Sequence, residues 1–125
     1  MAMIDIFSPS VSKVAKGIDG KSVLIYGNNK AGKTYVCAHM PKPFFFAFEL
    51  GLEAIPDVPY IYPEKWSVFE NALNQFCKNP AKARELYQTI VIDQLETMYA
   101  SCEKYVCDNA GVNSINQKPL LPNGK

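Results

Sequence analysis

Ser22-Val23-Leu24-Ile25-Tyr26-Gly27-Asn28-Asn29-Lys30-Ala31-Gly32-Lys33-Thr34 is the stretch from which the fold is read. Its first five residues form a short apolar, β-prone run between Gly20 and Gly27. Such a run reads as a strand buried on both faces, the type found in parallel sheets. From Gly27 to Thr34 the pattern G-x-x-x-x-G-K-[ST] is matched in full. Glycine lets a loop of this kind curl around phosphate oxygens with no side chain in the way. The N–H groups of residues 29–34 are expected to point at a phosphate, aided by the positive end of a short helix over 33–40. Lys33 then reaches the β- and γ-phosphates, and the Thr34 hydroxyl is the expected Mg²⁺ ligand. The candidate nucleotide-binding residues are therefore Gly27, Asn28, Asn29, Lys30, Ala31, Gly32, Lys33 and Thr34. A strand before this loop and a helix after it are the context that the mechanism requires.

Outward from the loop the pattern alternates. Pro41 and Pro43 stop the first helix. Pro43-Phe44-Phe45-Phe46-Ala47-Phe48 reads as a second buried strand ending at Glu49, followed by a Gly- and Pro-containing loop over 50–59 and a brief strand at Tyr60-Ile61-Tyr62. Trp66, Phe69, Leu73, Phe76 and Cys77 share one face of a helix. Leu95, Met98, Tyr99, Cys102, Tyr105 and Val106 repeat that spacing, with Gly111 just past the expected end. Between the two helices, Thr89-Ile90-Val91-Ile92-Asp93 is a strand of β-branched residues closed by a carboxylate. Strand and helix in alternation predict an α/β domain with a mainly parallel sheet and flanking helices.

Two carboxylates stand where such sheets place ligands, at the C-terminal ends of strands. Asp93, after four residues of buried strand, is the candidate to hold the metal opposite Thr34, directly or through a water. Glu49, after the run 44–48, is the candidate to orient and deprotonate the water that attacks the γ-phosphate. Glu53, four residues later, competes for that role. With Lys33, Glu49 and Asp93 make up the candidate catalytic set.

Three strings, Val-Leu-Ile-Tyr-Gly-Asn-Asn-Lys-Ala-Gly-Lys-Thr (23–34), Phe-Phe-Phe-Ala-Phe-Glu-Leu-Gly-Leu-Glu (44–53) and Thr-Ile-Val-Ile-Asp-Gln-Leu (89–95), resemble the RecA-like P-loop ATPases. Within that group the chain is most similar to small phage-encoded nucleotide-binding proteins of the recombination and single-strand-annealing type. The resemblance runs from about Lys21 to Glu96. It implies ATP and Mg²⁺ as cofactors, a catalytic glutamate at Glu49 and a Walker B aspartate at Asp93. It also implies a DNA-recombination role for a phage or prophage protein, with single-stranded DNA as a partner. Lys30 departs from the pattern, because a glycine or another small residue is usual there; its side chain is expected to point to solvent. RecA-like cores generally carry further strands and DNA-binding loops beyond Walker B, one strand lying between the phosphate-loop and Walker B strands. None is found before Lys125. The expectation is a single, partial nucleotide-binding domain over 1–125, the N-terminal part of a longer protein with the core truncated. Open strand edges in such a domain tend to pair with another chain, so a homo-oligomer is expected.

Composition narrows the alternatives. The 125 residues allow one domain and one hydrophobic core. A net charge of +1 carries no electrostatic footprint for nucleic acid, and the Lys13, Lys16 and Lys21 cluster reads as a solvated surface. Cys37, Cys77, Cys102 and Cys107 have no zinc-type spacing and only His39 to join them, so they read as reduced thiols, and His39 is placed at a helix end without a role. Without an apolar run long enough for a bilayer or a signal-like N-terminus, the chain is expected in the cytoplasm. ATP hydrolysis is the leading function if the C-terminal part is present. A small-molecule or nucleotide kinase would need a lid with arginines, and the chain has one, Arg84. A GTPase would need [NT]-K-x-D, which is absent. A nucleotide-binding fragment without turnover is the remaining alternative.

Overall fold

The computed structural model describes residues 7, 8, 10, 12, 17–49 and 51–117. Lys13 and Lys16 of the basic cluster and the ending 120–125 lie outside them. The elements in chain order are α1 (Lys33–Ala38), β1 (Pro43–Ala47), a 3-10 turn (Leu52–Ala54), β2 (Tyr60–Ile61), α2 (Trp66–Lys78), α3 (Pro80–Leu86), β3 (Thr89–Asp93) and α4 (Leu95–Ala110). The domain is α/β, with a parallel three-stranded sheet in the order β2-β1-β3 and flanking helices. Pro43 pairs with Thr89 and Ala47 with Asp93, so β1 and β3 begin and end level. Thr89 helps hold that register, its Oγ1 donating to the Pro41 carbonyl at 2.8 Å.

Alternation along β1 splits its side chains between two faces. Phe46 and Phe48 join Phe69 of α2 in a buried cluster, ringed by Phe44, Ile61, Trp66, Ala72, Phe76 and Met98. The rings meet edge to face: Phe46 and Phe69 lie 4.8 Å apart at 85°, and Phe44 and Phe76 lie 5.4 Å apart at 74°. That geometry sets the positive edge of one ring on the negative face of the next. Phe45, Ala47 and Val91 are buried on the opposite face.

Several expectations are corrected. Residues 22–26 are not a buried strand. No ladder joins 21–27 to the sheet, and Val23, Leu24 and Tyr26 are 58%, 71% and 87% exposed. A β-prone run becomes a strand only where a neighbouring edge accepts its N–H and C=O groups, and among the described residues none does so. The helix expected over 33–40 ends at Ala38, with His39 as its C-cap. On α2, Ala72 rather than Leu73 or Cys77 packs against the core; a small side chain suits a position already crowded by three phenyl rings. On α4, Met98 reaches the core and Cys107 is buried, while Leu95, Tyr99 and Val106 of the expected apolar face are exposed. On β3 only Val91 is buried, with Ile90 and Ile92 exposed. Helix α3, short and opened by Pro80, was not foreseen.

Gly111 closes α4 in the left-handed region at φ 67°, with the Val112 N–H bonded back to the Cys107 carbonyl at 3.0 Å. A Cβ there would meet nothing within 4 Å, so backbone conformation is the whole cost of adding one. Gly111→Ala is expected to destabilise the domain by about 1 kcal/mol. A shifted urea midpoint checks this; unchanged stability would mean that α4 ends as easily without the left-handed cap.

Candidate functional site

The loop 27–34 is shaped by three residues of positive φ, Gly27 at 157°, Lys30 at 61° and Gly32 at 90°. Consecutive N–H groups in a backbone of this kind can converge into an anion-binding concavity. Gly32 is also the N-cap of α1 and makes no side-chain cap, which leaves the first N–H groups of the helix available. Lys30 is exposed, as expected of its side chain, in a conformation that a glycine would adopt at less cost. The Lys33 ammonium bends back over the loop and donates to the carbonyls of Gly27 and Asn28, each at 2.7 Å. Its positive charge is thereby held at the loop.

The next residue joins the loop to the sheet. Thr34 Oγ1 donates to Asp93 Oδ2 at 2.8 Å, across 59 residues of sequence. One helical turn on, the Cys37 thiol is pushed above its ordinary pKa, first by burial and then by the negative charge of Asp93. Both observations set the start of α1 against the C-terminal end of β3. A hydroxyl and a carboxylate sharing one point are hard oxygen donors, the type Mg²⁺ takes while keeping several waters. The residues present therefore fit a bound Mg²⁺.

Glu49 lies just beyond β1, and its neighbour Phe48 donates its N–H to the Asp93 carbonyl at 2.7 Å. This bond ties the chain leaving β1 to the chain leaving β3 and keeps the two carboxylate-bearing ends together. Glu49 Oε1 accepts a hydrogen bond from Thr97 Oγ1 on α4 at 3.2 Å. Glu53 lies farther along, exposed in the 3-10 turn. Thr34 and Asp93 are thus in direct contact and Glu49 stands at the same end of the sheet, whereas the alternative Glu53 belongs to the following loop. Thr97 escaped the sequence reading. Its only local signal is a hydroxyl four residues after Asp93, one turn into the following helix.

A cavity of about 340 Å³ is lined by Tyr35 of α1 and its C-cap His39, by Pro43, and by Pro56 and Pro59 of the loop before β2. It adjoins the start of β1, the end away from Glu49. No helix among the described residues is long and apolar enough to cross a membrane.

A family model described as an AAA domain matches residues 19–121, which include the loop, Glu49, Asp93 and Thr97. The SPbeta prophage-derived uncharacterized protein YorG of Bacillus subtilis (strain 168) is 43% identical over 112 residues, covering 90% of this chain and 35% of the relative. The chain therefore spans about a third of the length of the curated relative it matches. No solved structure matches.

Proposed function

The chain belongs to the AAA domain family, and from that premise we propose that it is a phage-type, RecA-like P-loop domain that binds and hydrolyses ATP with Mg²⁺ in DNA recombination. The observation that carries the nucleotide reading is the 2.8 Å contact between Thr34 and Asp93, directly after a loop spanned by the Lys33 ammonium. The loop N–H groups bind the phosphate oxygens. Lys33 exchanges the carbonyls of Gly27 and Asn28 for the β- and γ-phosphates, a stronger partner for an ammonium than a neutral carbonyl. Thr34 and Asp93 hold the Mg²⁺, which supplies charge neutralisation at the phosphates. Glu49 takes a proton from the water whose oxygen bonds to the γ-phosphorus, while the bond to the β-phosphate oxygen breaks and ADP leaves. Support for the recombination role comes from the resemblance carried by Glu49 and Asp93, together with the prophage origin of the relative. A single-stranded DNA partner and a cytoplasmic setting belong to the same reading. Self-association draws its support from β3, the outermost strand of the sheet among the described residues, and from Ile90 and Ile92 on one of its faces, 47% and 38% exposed. A domain of this kind over 1–125 acts as one unit of the protein.

The kinase alternative is disfavoured by the position of Arg84. It lies in the last turn of α3, which leads into β3 from the end opposite Asp93, so it is poorly placed to reach a γ-phosphate held by Thr34. The test is phosphate release from ATP by the complete gene product, with and without Mg²⁺ and single-stranded DNA. The expected result is Mg²⁺-dependent release that rises several-fold with DNA, in line with the large effects of completing a phosphoryl-transfer site. Transfer of the γ-phosphate to a small-molecule acceptor instead of water, or nucleotide binding without any release, would overturn it.

A further inference from the structure

A glutamate on the surface at the end of a strand has many rotamers open to it, and an activated water needs one of them held. Glu49 is exposed, and among the described residues the backbone hydrogen bonds of this strand end at Phe48. The remaining constraint comes from α4. Thr97 lies in the first turn of that helix, half-buried, where branching at Cβ limits a threonine to two main χ1 rotamers. The next residue, Met98, packs into the aromatic core, and the Met98 N–H donates to the Gln94 carbonyl at 3.2 Å, so this turn is fixed at its base. From that platform the Thr97 hydroxyl donates to Glu49 Oε1 at 3.2 Å, across 48 residues of sequence. One carboxylate oxygen is thereby engaged, and among the described residues the other accepts no hydrogen bond.

We propose that Thr97 is a positioning residue for Glu49: its hydroxyl holds the carboxylate in the rotamer that accepts a proton from the attacking water. This deepens the function proposed above and rests on Glu49 being the general base. Because Thr97 rides on α4, which starts two residues after Asp93, the helix links the metal-binding carboxylate to the proton-accepting one.

The test compares Thr97→Val, Thr97→Ser and Glu49→Gln in the complete gene product, alone and as the Thr97→Val, Glu49→Gln double variant. Thr97→Val is expected to lower kcat for ATP hydrolysis about ten-fold, the loss of one hydrogen bond to a charged group, with KM and nucleotide affinity unchanged. Thr97→Ser, which keeps the hydroxyl, should restore kcat to within roughly two-fold. In the Glu49→Gln background the valine should have no further effect, because the group it acts through has lost its basicity. Wild-type turnover in Thr97→Val beside an inactive Glu49→Gln would overturn the proposal and leave the base assignment standing. An equal loss from the valine in both backgrounds would also overturn it, by showing that Thr97 does not act through Glu49. Turnover that survives Glu49→Gln would remove the base assignment and the proposal together. Thr97→Ala removes the same hydroxyl with a smaller side chain, so an unstable valine variant does not decide the outcome.

Discussion

Lys33→Ala is expected to weaken MgATP binding by roughly 10²–10⁴-fold while the fold survives. A hydrogen bond to a charged group contributes about 1.5–3 kcal/mol, and an ammonium between two phosphates makes at least two of them. The fold is spared because the groups Lys33 bonds here, the carbonyls of Gly27 and Asn28, belong to exposed residues and are solvated when it is removed. No buried partner is left unsatisfied. Titration with a fluorescent ATP analogue measures the first half of this expectation and thermal unfolding the second. Unchanged affinity would remove the phosphate-binding assignment of the loop. A collapse of stability would instead mean that the ammonium holds the loop together, and a methionine at the same position would then test charge apart from packing.

Glu49→Gln is expected to lower kcat by about 10²–10⁴-fold, the usual contribution of a positioned general base, with little change in ATP or Mg²⁺ affinity. The amide keeps the shape of the carboxylate and can still accept from Thr97, but it cannot take a proton from water. Affinity is preserved because the proposed phosphate and metal contacts lie elsewhere, at the loop and at the Thr34–Asp93 pair. Glu53→Gln is the matched control. Glu53 belongs to the exposed turn Leu52–Ala54, and its replacement should leave turnover near the wild-type rate. Single-turnover hydrolysis of the two variants separates the candidates. If Glu53→Gln stops turnover and Glu49→Gln does not, the catalytic base has been assigned to the wrong carboxylate.

The sequence by itself determined the pieces that depend on near neighbours. The loop spacing from Gly27 to Thr34, the run that became β1 and the β-branched segment ending at Asp93 were all legible, because glycine placement, proline stops and strand propensity act within a few residues. Gly111 ends α4 as its position implied, because a left-handed cap is a local requirement too. The segment 22–26 had the same local qualities as β1 but lies unpaired, since pairing depends on an edge supplied from elsewhere in the chain. Burial followed the same rule: Ala72 took the core position that the spacing assigned to Leu73, and the exposed side of α4 kept Leu95 and Tyr99 in solvent. The tertiary structure alone decided that Thr34 meets Asp93 and that Thr97 meets Glu49, pairs 59 and 48 residues apart. Strand order and register place the ends of β1 and β3 side by side, and the Thr34 hydroxyl anchors the start of α1 on Asp93. Periodicity records which face of an element is apolar, and only the packed sheet determines what that face, and the carboxylate at its end, will touch.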